Sequence, residues 1–160
     1  MTILSSFRQA IPADAELACQ VLRQSISELC VLDHRNDPLT LDEWLKNKTP
    51  ESVRGWFSDP DKYCVIADIG SDVNGVGSIT AAGEIGLLYV APRARFMGLS
   101  KGMLMQMEKW ALNRKLAKVS LLSTGTAKEF YELQGYHSKG EPTKCFGKVI
   151  GYPMIKVIGV

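Results

Sequence analysis

Apolar residues recur along this chain at two spacings, one that suits strands and one that suits helices. Short runs rich in β-branched and aromatic residues predict strands at Ile3–Gln9, Tyr63–Ile69, Val76–Ala81, Ile85–Val90 and Val119–Ser123. Leu17, Val21, Leu22, Ile26 and Leu29 recur with helical period, so a helix is expected from Pro12 and Asp14 to about Cys30. Met103, Leu104, Met107, Trp110 and Ala111 predict a second helix reaching Leu116. Val31 to Thr40 is polar and reads as a loop. Thr40 with Glu43 forms a capping-box pattern for a helix over Leu41–Asn47. Thr49 is placed to cap another helix over Pro50–Phe57, and Asp59–Asp61 reads as a turn. Gly70–Gly77 reads as a glycine-rich hairpin. Thr126–Tyr136 predicts a short helix ended by Gly135. The tail, Thr143–Val160, should supply further strands, with Pro153–Lys156 in the last.

Connectivity follows from these lengths. Three successive strands with short links imply an antiparallel meander, whereas strand, helix, strand over Leu87–Ser123 implies a parallel pair with a crossover. The 160 residues suit one α/β (α+β) domain, 1–160, with its own core. A net charge of +2 gives no electrostatic footprint for nucleic acid. No apolar run approaches a membrane span, and no signal peptide is visible, so neither nucleic acid nor membrane is expected as a partner. Cys19, Cys30, Cys64 and Cys145 are scattered, as free thiols in a reducing cytoplasm would be. Cys30 and His34 have an i, i+4 spacing, but no third ligand is placed by spacing, so no metal is expected.

The chemistry concentrates where the Leu87–Val90 strand meets the following helix. Pro92 ends the strand, and Gly98 and Gly102 bracket the helix start. Unpartnered N–H groups and the helix dipole there make an anion site, with Arg93, Arg95 and Lys101 adding positive charge. The segment lacks the spacing of a P-loop and the glycines of a dinucleotide fingerprint. Arg95-Phe96-Met97-Gly98-Leu99-Ser100 instead resembles the R/Q-x-x-G-x-G/A loop of the GNAT N-acetyltransferase superfamily, with Ser100 standing where Gly or Ala is usual. Leu88-Tyr89-Val90-x-Pro92 resembles the strand that leads into that loop. Ala127, Phe130, Tyr131, Glu132, Gly135 and Tyr136 match that family's A-x-x-F-Y-E-x-x-G-[FY] segment in register.

The resemblance implies a GNAT fold: a mixed sheet of about six to seven strands with about four to five helices, its parallel pair Leu87–Val90 and Val119–Ser123 splayed into a V. It also implies acetyl-CoA as co-substrate, with direct transfer of acetyl to an amine. The expected cofactor contacts are Leu88, Tyr89 and Val90 on the strand, with Arg93, Arg95, Phe96, Met97, Gly98, Leu99, Ser100, Lys101 and Gly102 in the loop, and Phe130. An N–H near Val90 would stabilise the oxyanion. Tyr131 matches the position that protonates the leaving thiolate, and Glu84 is the candidate base, acting through water.

The acceptor would be a small-molecule or peptide amine, met by the loop between the first two helices. Asp33 and Asp37 could bind a cationic amine, and His34 is a second candidate base. Trp44, Trp56 and Phe57 would wall the pocket or anchor helices, with core the expected role. The three methionines of the Met103–Leu116 stretch are expected to fill core. The alternative reading is a CoA-binding sensor module without turnover. A homodimer is compatible with either.

Overall fold

The computed structural model describes residues 4–159. Ile3, where the first strand was expected to begin, and Val160, at the end of the tail, lie outside the described residues. The strands are β1 (Ser5–Gln9), β2 (Lys62–Ile69), β3 (Asp72–Thr80), β4 (Glu84–Val90), β5 (Lys118–Ser123), β6 (His137–Ser138), β7 (Thr143–Phe146) and β8 (Val149–Val157). They form an eight-stranded sheet in the order β1-β2-β3-β4-β5-β8-β6, with β7 also pairing β8. The helices are α1 (Ala15–Leu29), α2 (Val31–His34), α3 (Pro38–Leu45), α4 (Pro50–Phe57), α5 (Leu99–Asn113) and α6 (Lys128–Leu133). All strand pairs are antiparallel except β4 with β5. This is the expected mixed sheet with its parallel pair.

Helix α5 covers one face of the meander. Met103 and Met107 reach so close to β3 that a Cβ on Gly75 would stand 2.7 Å from Met103 Cε, and one on Gly77 3.1 Å from Met107 Cε. Met103 and Met107 are core as their spacing predicted, but Met105, expected there too, points to solvent because it falls on the opposite face of the helix. Gly102 of α5 crosses Phe7 of β1 even more tightly, with an added Cβ only 2.0 Å from Phe7 Cζ. On the other face, Ile26 of α1, Trp44 of α3 and Val149 of β8 form a second cluster against Tyr89 and Phe146.

The structure revises several local expectations. The 31–40 stretch is not one loop, because α2 occupies its first half. Helix α3 then starts at Pro38, with Asp37 rather than Thr40 as its cap. Asp37 Oδ2 accepts from the Thr40 N–H at 3.1 Å and the Thr40 hydroxyl at 2.6 Å. Glu43 closes no capping box. It accepts from the Gly147 N–H at 2.9 Å instead, pinning the β7–β8 turn. Thr49 caps α4 as expected. Leu17 is exposed, since the inner face of α1 runs through Ala15, Ala18, Cys19, Leu22, Ser25 and Ile26. The β2–β3 turn is confined to Gly70–Ser71, and β3 begins at Asp72. Helix α5 ends at Asn113, ahead of a turn in which Lys115 takes a left-handed φ of 62°.

Candidate active site

A glycine bulge opens the site. Ser78 faces Leu87 and Ile79 faces Ile85, so Gly86 is an extra residue in β4 with no partner on β3. A bulge bends its strand, and β4 pairs with β5 only at Glu84↔Ser120 and Ile85↔Leu121 before the two part. This is the V-shaped splay.

The phase of the β3–β4 ladder decides which backbone groups face the gap. The Ala91 N–H donates to the Asn74 carbonyl at 2.8 Å, which makes Gly75↔Val90 a non-hydrogen-bonded pair. By alternation Tyr89 exchanges hydrogen bonds with Val76, while the peptide groups of Leu88 and Val90 turn toward the opening. Two of the three expected strand contacts therefore have free backbone groups. Tyr89 does not: its N–H is spent on β3, and its side chain leaves the sheet on the face away from α5.

A cavity of about 410 Å³ fills the splay. At one end lies the turn into α5. Gly98 caps the helix at φ 77°, a left-handed conformation that suits glycine, and Phe96 before it also has a positive φ of 62°. The first intrahelical bond comes from the Gly102 N–H to the Gly98 carbonyl at 3.0 Å, and no N–H from Phe96 to Lys101 donates to another described backbone group. These donors, the helix dipole, Arg95 and Lys101 form an anion cradle.

Arg95, Phe96, Gly98, Leu99, Ser100 and Lys101 line the cavity with Leu88, Tyr89, Val90 and Phe130. Arg93, Met97 and Gly102 do not. The Arg93 guanidinium donates to the Val73 carbonyl at 3.1 Å and ties the turn to β3. Gly102 is small because Phe7 leaves no room for a Cβ. Phe96 is 93% exposed, with the Arg95 guanidinium 4.7 Å from its ring centre.

Tyr131 of α6 stands on the far side of the cavity, held between Phe130 and Tyr136 at ring-centre distances of 5.2 and 5.6 Å. Burial pushes its phenol above the ordinary tyrosine range. Tyr136 is fixed in turn, its hydroxyl donating to Glu108 at 2.8 Å. Cys30 also lines the cavity, and burial pushes its thiol up to about 12. It remains a neutral thiol rather than a nucleophile.

Three candidate residues have other duties. His34 is sealed in the core: its Nε2 bonds the Ile26 carbonyl at 2.9 Å, and its Nδ1 accepts from the Asn36 N–H at 2.9 Å. Both ring nitrogens are thus engaged by the backbone. Asp37 caps α3 and lies 3.8 Å from Lys148, outside the cavity. Asp33 does not line the cavity, but its partner Thr126 does, and both Asp33 oxygens bind Thr126, one accepting the N–H at 3.2 Å and the other the hydroxyl. That strap joins segments 93 residues apart.

Glu84 is exposed at the closed end of the V and lines a separate depression of about 320 Å³ with Ser120 and Lys139. The two hollows share Ile85, Leu121 and Leu122. Glu84 and Tyr131 thus line different hollows. Trp44 and Val53 are core, whereas Trp56 and Phe57 pack half-buried against it.

The structure resembles solved acetyltransferases over nearly its whole length. A GCN5-related N-acetyltransferase from Rhodopseudomonas palustris superposes with a TM-score of 0.85 at 20% identity, covering 98% of each chain. The PaiA N-acetyltransferase of Thermoplasma acidophilum, solved with coenzyme A, gives 0.80 at 18% identity over 97% of this chain and 99% of that one. An aminoglycoside 6'-N-acetyltransferase from Enterococcus faecium gives 0.73 at 15% identity over 96% and 97%. At these identities the likeness speaks for the fold. Comparison with curated proteins gives no sequence match. The sequence profile of the acetyltransferase (GNAT) domain matches residues 23–158, which span the bulged strand, the loop into α5 and the Tyr131 helix. The chain belongs to the GNAT acetyltransferase family.

Proposed function

We propose that this protein transfers acetyl from acetyl-CoA directly to the amine of a small molecule, amino acid or peptide. One observation carries the reading: a single cavity joins the anion cradle at the start of α5 to the Tyr131 phenol, passing the free backbone groups of Leu88 and Val90. The pyrophosphate would sit on the Phe96–Lys101 N–H groups, and the amide-rich arm would pair with β4 in the splay. The amine lone pair attacks the thioester carbon, and the oxyanion forms against a β4 N–H. The C–S bond then breaks and the thiolate takes the Tyr131 proton. The proton lost by nitrogen passes through water to Glu84.

The test is thiol release from acetyl-CoA over a panel of amines, with wild type and Tyr131→Phe side by side. Turnover that falls ~10²–10⁴-fold in the variant supports the assignment. Coenzyme A binding without turnover on any amine would refute the catalytic reading and leave a sensor module.

A further inference from the structure

On the acetyl-transfer reading above, the choice of amine falls to the part of the cavity walled by α1. Beyond the splay the cavity continues to a lobe between α1 and β4, walled by Ser25, Leu29, Cys30 and Tyr89. No carboxylate lines it. Asp33, expected to meet a cationic amine, is engaged by Thr126 instead. A polycation would find no counter-charge inside, so the lobe suits one amine on an apolar body.

Ser25 and Tyr89 both bring hydroxyls to the lobe, and that of Tyr89 is held in a fixed direction. Its side chain leaves β4 on the face opposite α5, because it pairs with Val76 while Gly75 and Gly77 face Met103 and Met107. The hydroxyl accepts the Trp44 Nε1–H at 3.3 Å, its sole side-chain hydrogen bond among the described residues. Indole N–H is donor only, so the phenol proton must point elsewhere. Trp44 is itself immobile. It stacks on Phe146 with ring centres 5.5 Å apart and planes within 10°, and it meets the His34 ring edge-on at 6.2 Å. Three elements thus hold one hydroxyl with one lone pair occupied and, among the described residues, its proton free for a ligand.

We infer that Tyr89 orients the acceptor by donating to an oxygen close to the reacting amine, and that the preferred acceptor is a neutral α-amino carbonyl compound with an apolar side chain. An amino-acid amide or ester, or an apolar peptide N-terminus, has this form. A site built to hydrogen-bond a group rejects the analogue that lacks it far more strongly than an apolar pocket rejects a missing methylene.

Thiol release tests this with L-leucinamide, with 3-methylbutylamine (the same body without the carbonyl), and with spermidine and kanamycin as polycations. Wild type should favour L-leucinamide over 3-methylbutylamine by at least about tenfold in kcat/KM. Tyr89→Phe should reduce that preference to about twofold through the acceptor KM, with the acetyl-CoA KM unchanged. Trp44→Phe keeps the stack and drops the N–H, so it should weaken the preference even if Tyr89→Phe is too unstable to assay. A preference for spermidine or kanamycin overturns the inference and leaves acetyl transfer standing, as does a preference for L-leucinamide that neither variant alters. If no amine turns over, thermal shift decides. Stabilisation of the coenzyme A complex by L-leucinamide in wild type but not in Tyr89→Phe upholds the inference while the catalytic reading falls. No such stabilisation overturns both.

Discussion

Gly102 lies inside the loop region assigned to the cofactor, yet its environment says packing. Replacing it with alanine separates the two roles. A Cβ there would stand 2.0, 2.6 and 2.7 Å from three Phe7 ring atoms, so the ring or the start of α5 must move. Overpacking of this kind costs about 1–3 kcal/mol. Alanine also gains about 1 kcal/mol over glycine inside a helix. The net loss is about 1 kcal/mol, a fall in Tm of roughly 2–4 °C for a chain of this length. Calorimetry measures that fall, and acetyl-CoA KM should stay within about twofold because Gly102 does not line the cavity. The decisive control is Phe7→Ala. With the ring gone only the helix-propensity gain remains, so Gly102→Ala should stabilise that background by up to about 1 kcal/mol. Continued destabilisation without Phe7, or a tenfold rise in acetyl-CoA KM with no change in Tm, would refute the packing argument.

Three further variants probe the remaining assignments. Glu84→Gln should lower kcat/KM by ~10²-fold or more if it collects the amine proton, and a change under threefold would remove it from the mechanism. Arg95→Ala should raise the acetyl-CoA KM with a weaker dependence on salt, whereas Arg93→Ala should lower Tm and leave that KM alone; the opposite pattern would reverse the two roles. Asp14 bonds Arg8 at 2.8 and 2.9 Å, and that guanidinium holds its carboxyl below the usual range. A depressed carboxyl stabilises the fold above its unfolded pKa of ~3.9, and the contribution fades as pH falls through the lower folded value. Asp14→Asn should therefore lower Tm at pH 7, with the gap to wild type closing in acid; a gap independent of pH would refute the ion-pair account.

The parts of the site legible in the sequence are those encoded by local chemistry. The turn into α5 announces itself because Pro92, Gly98 and the apolar period after it each constrain the backbone independently. Tyr131 was found through a segment whose residues keep a fixed register. What escaped depends on contacts distant in sequence. Asp37 and Thr40 are both good caps, and Pro38 at the first helical position was the signal that favours Asp37. His34 sits in a polar stretch, and nothing nearby in sequence reveals that the Ile26 carbonyl receives it. Gly86 was readable in principle, since a lone glycine inside a strand pattern marks a bulge. Tyr89 was assigned to the cofactor because its neighbours are; only the ladder phase turns its backbone toward β3 and its ring toward Trp44.

The splay makes β4 an edge strand in the interior of a sheet. An ordinary edge invites pairing with a stray chain, and proteins guard it with charge, proline or a covering element. Here the guard is access. The edge lies in a cleft between the loop into α5 and the α6 helix, too confined for a second sheet. A slender arm bearing its own amide groups can enter and continue the β4 ladder on the side where β5 has parted from it. One unpaired glycine thus leaves an interior strand with an open edge, before any side chain in the cleft is considered.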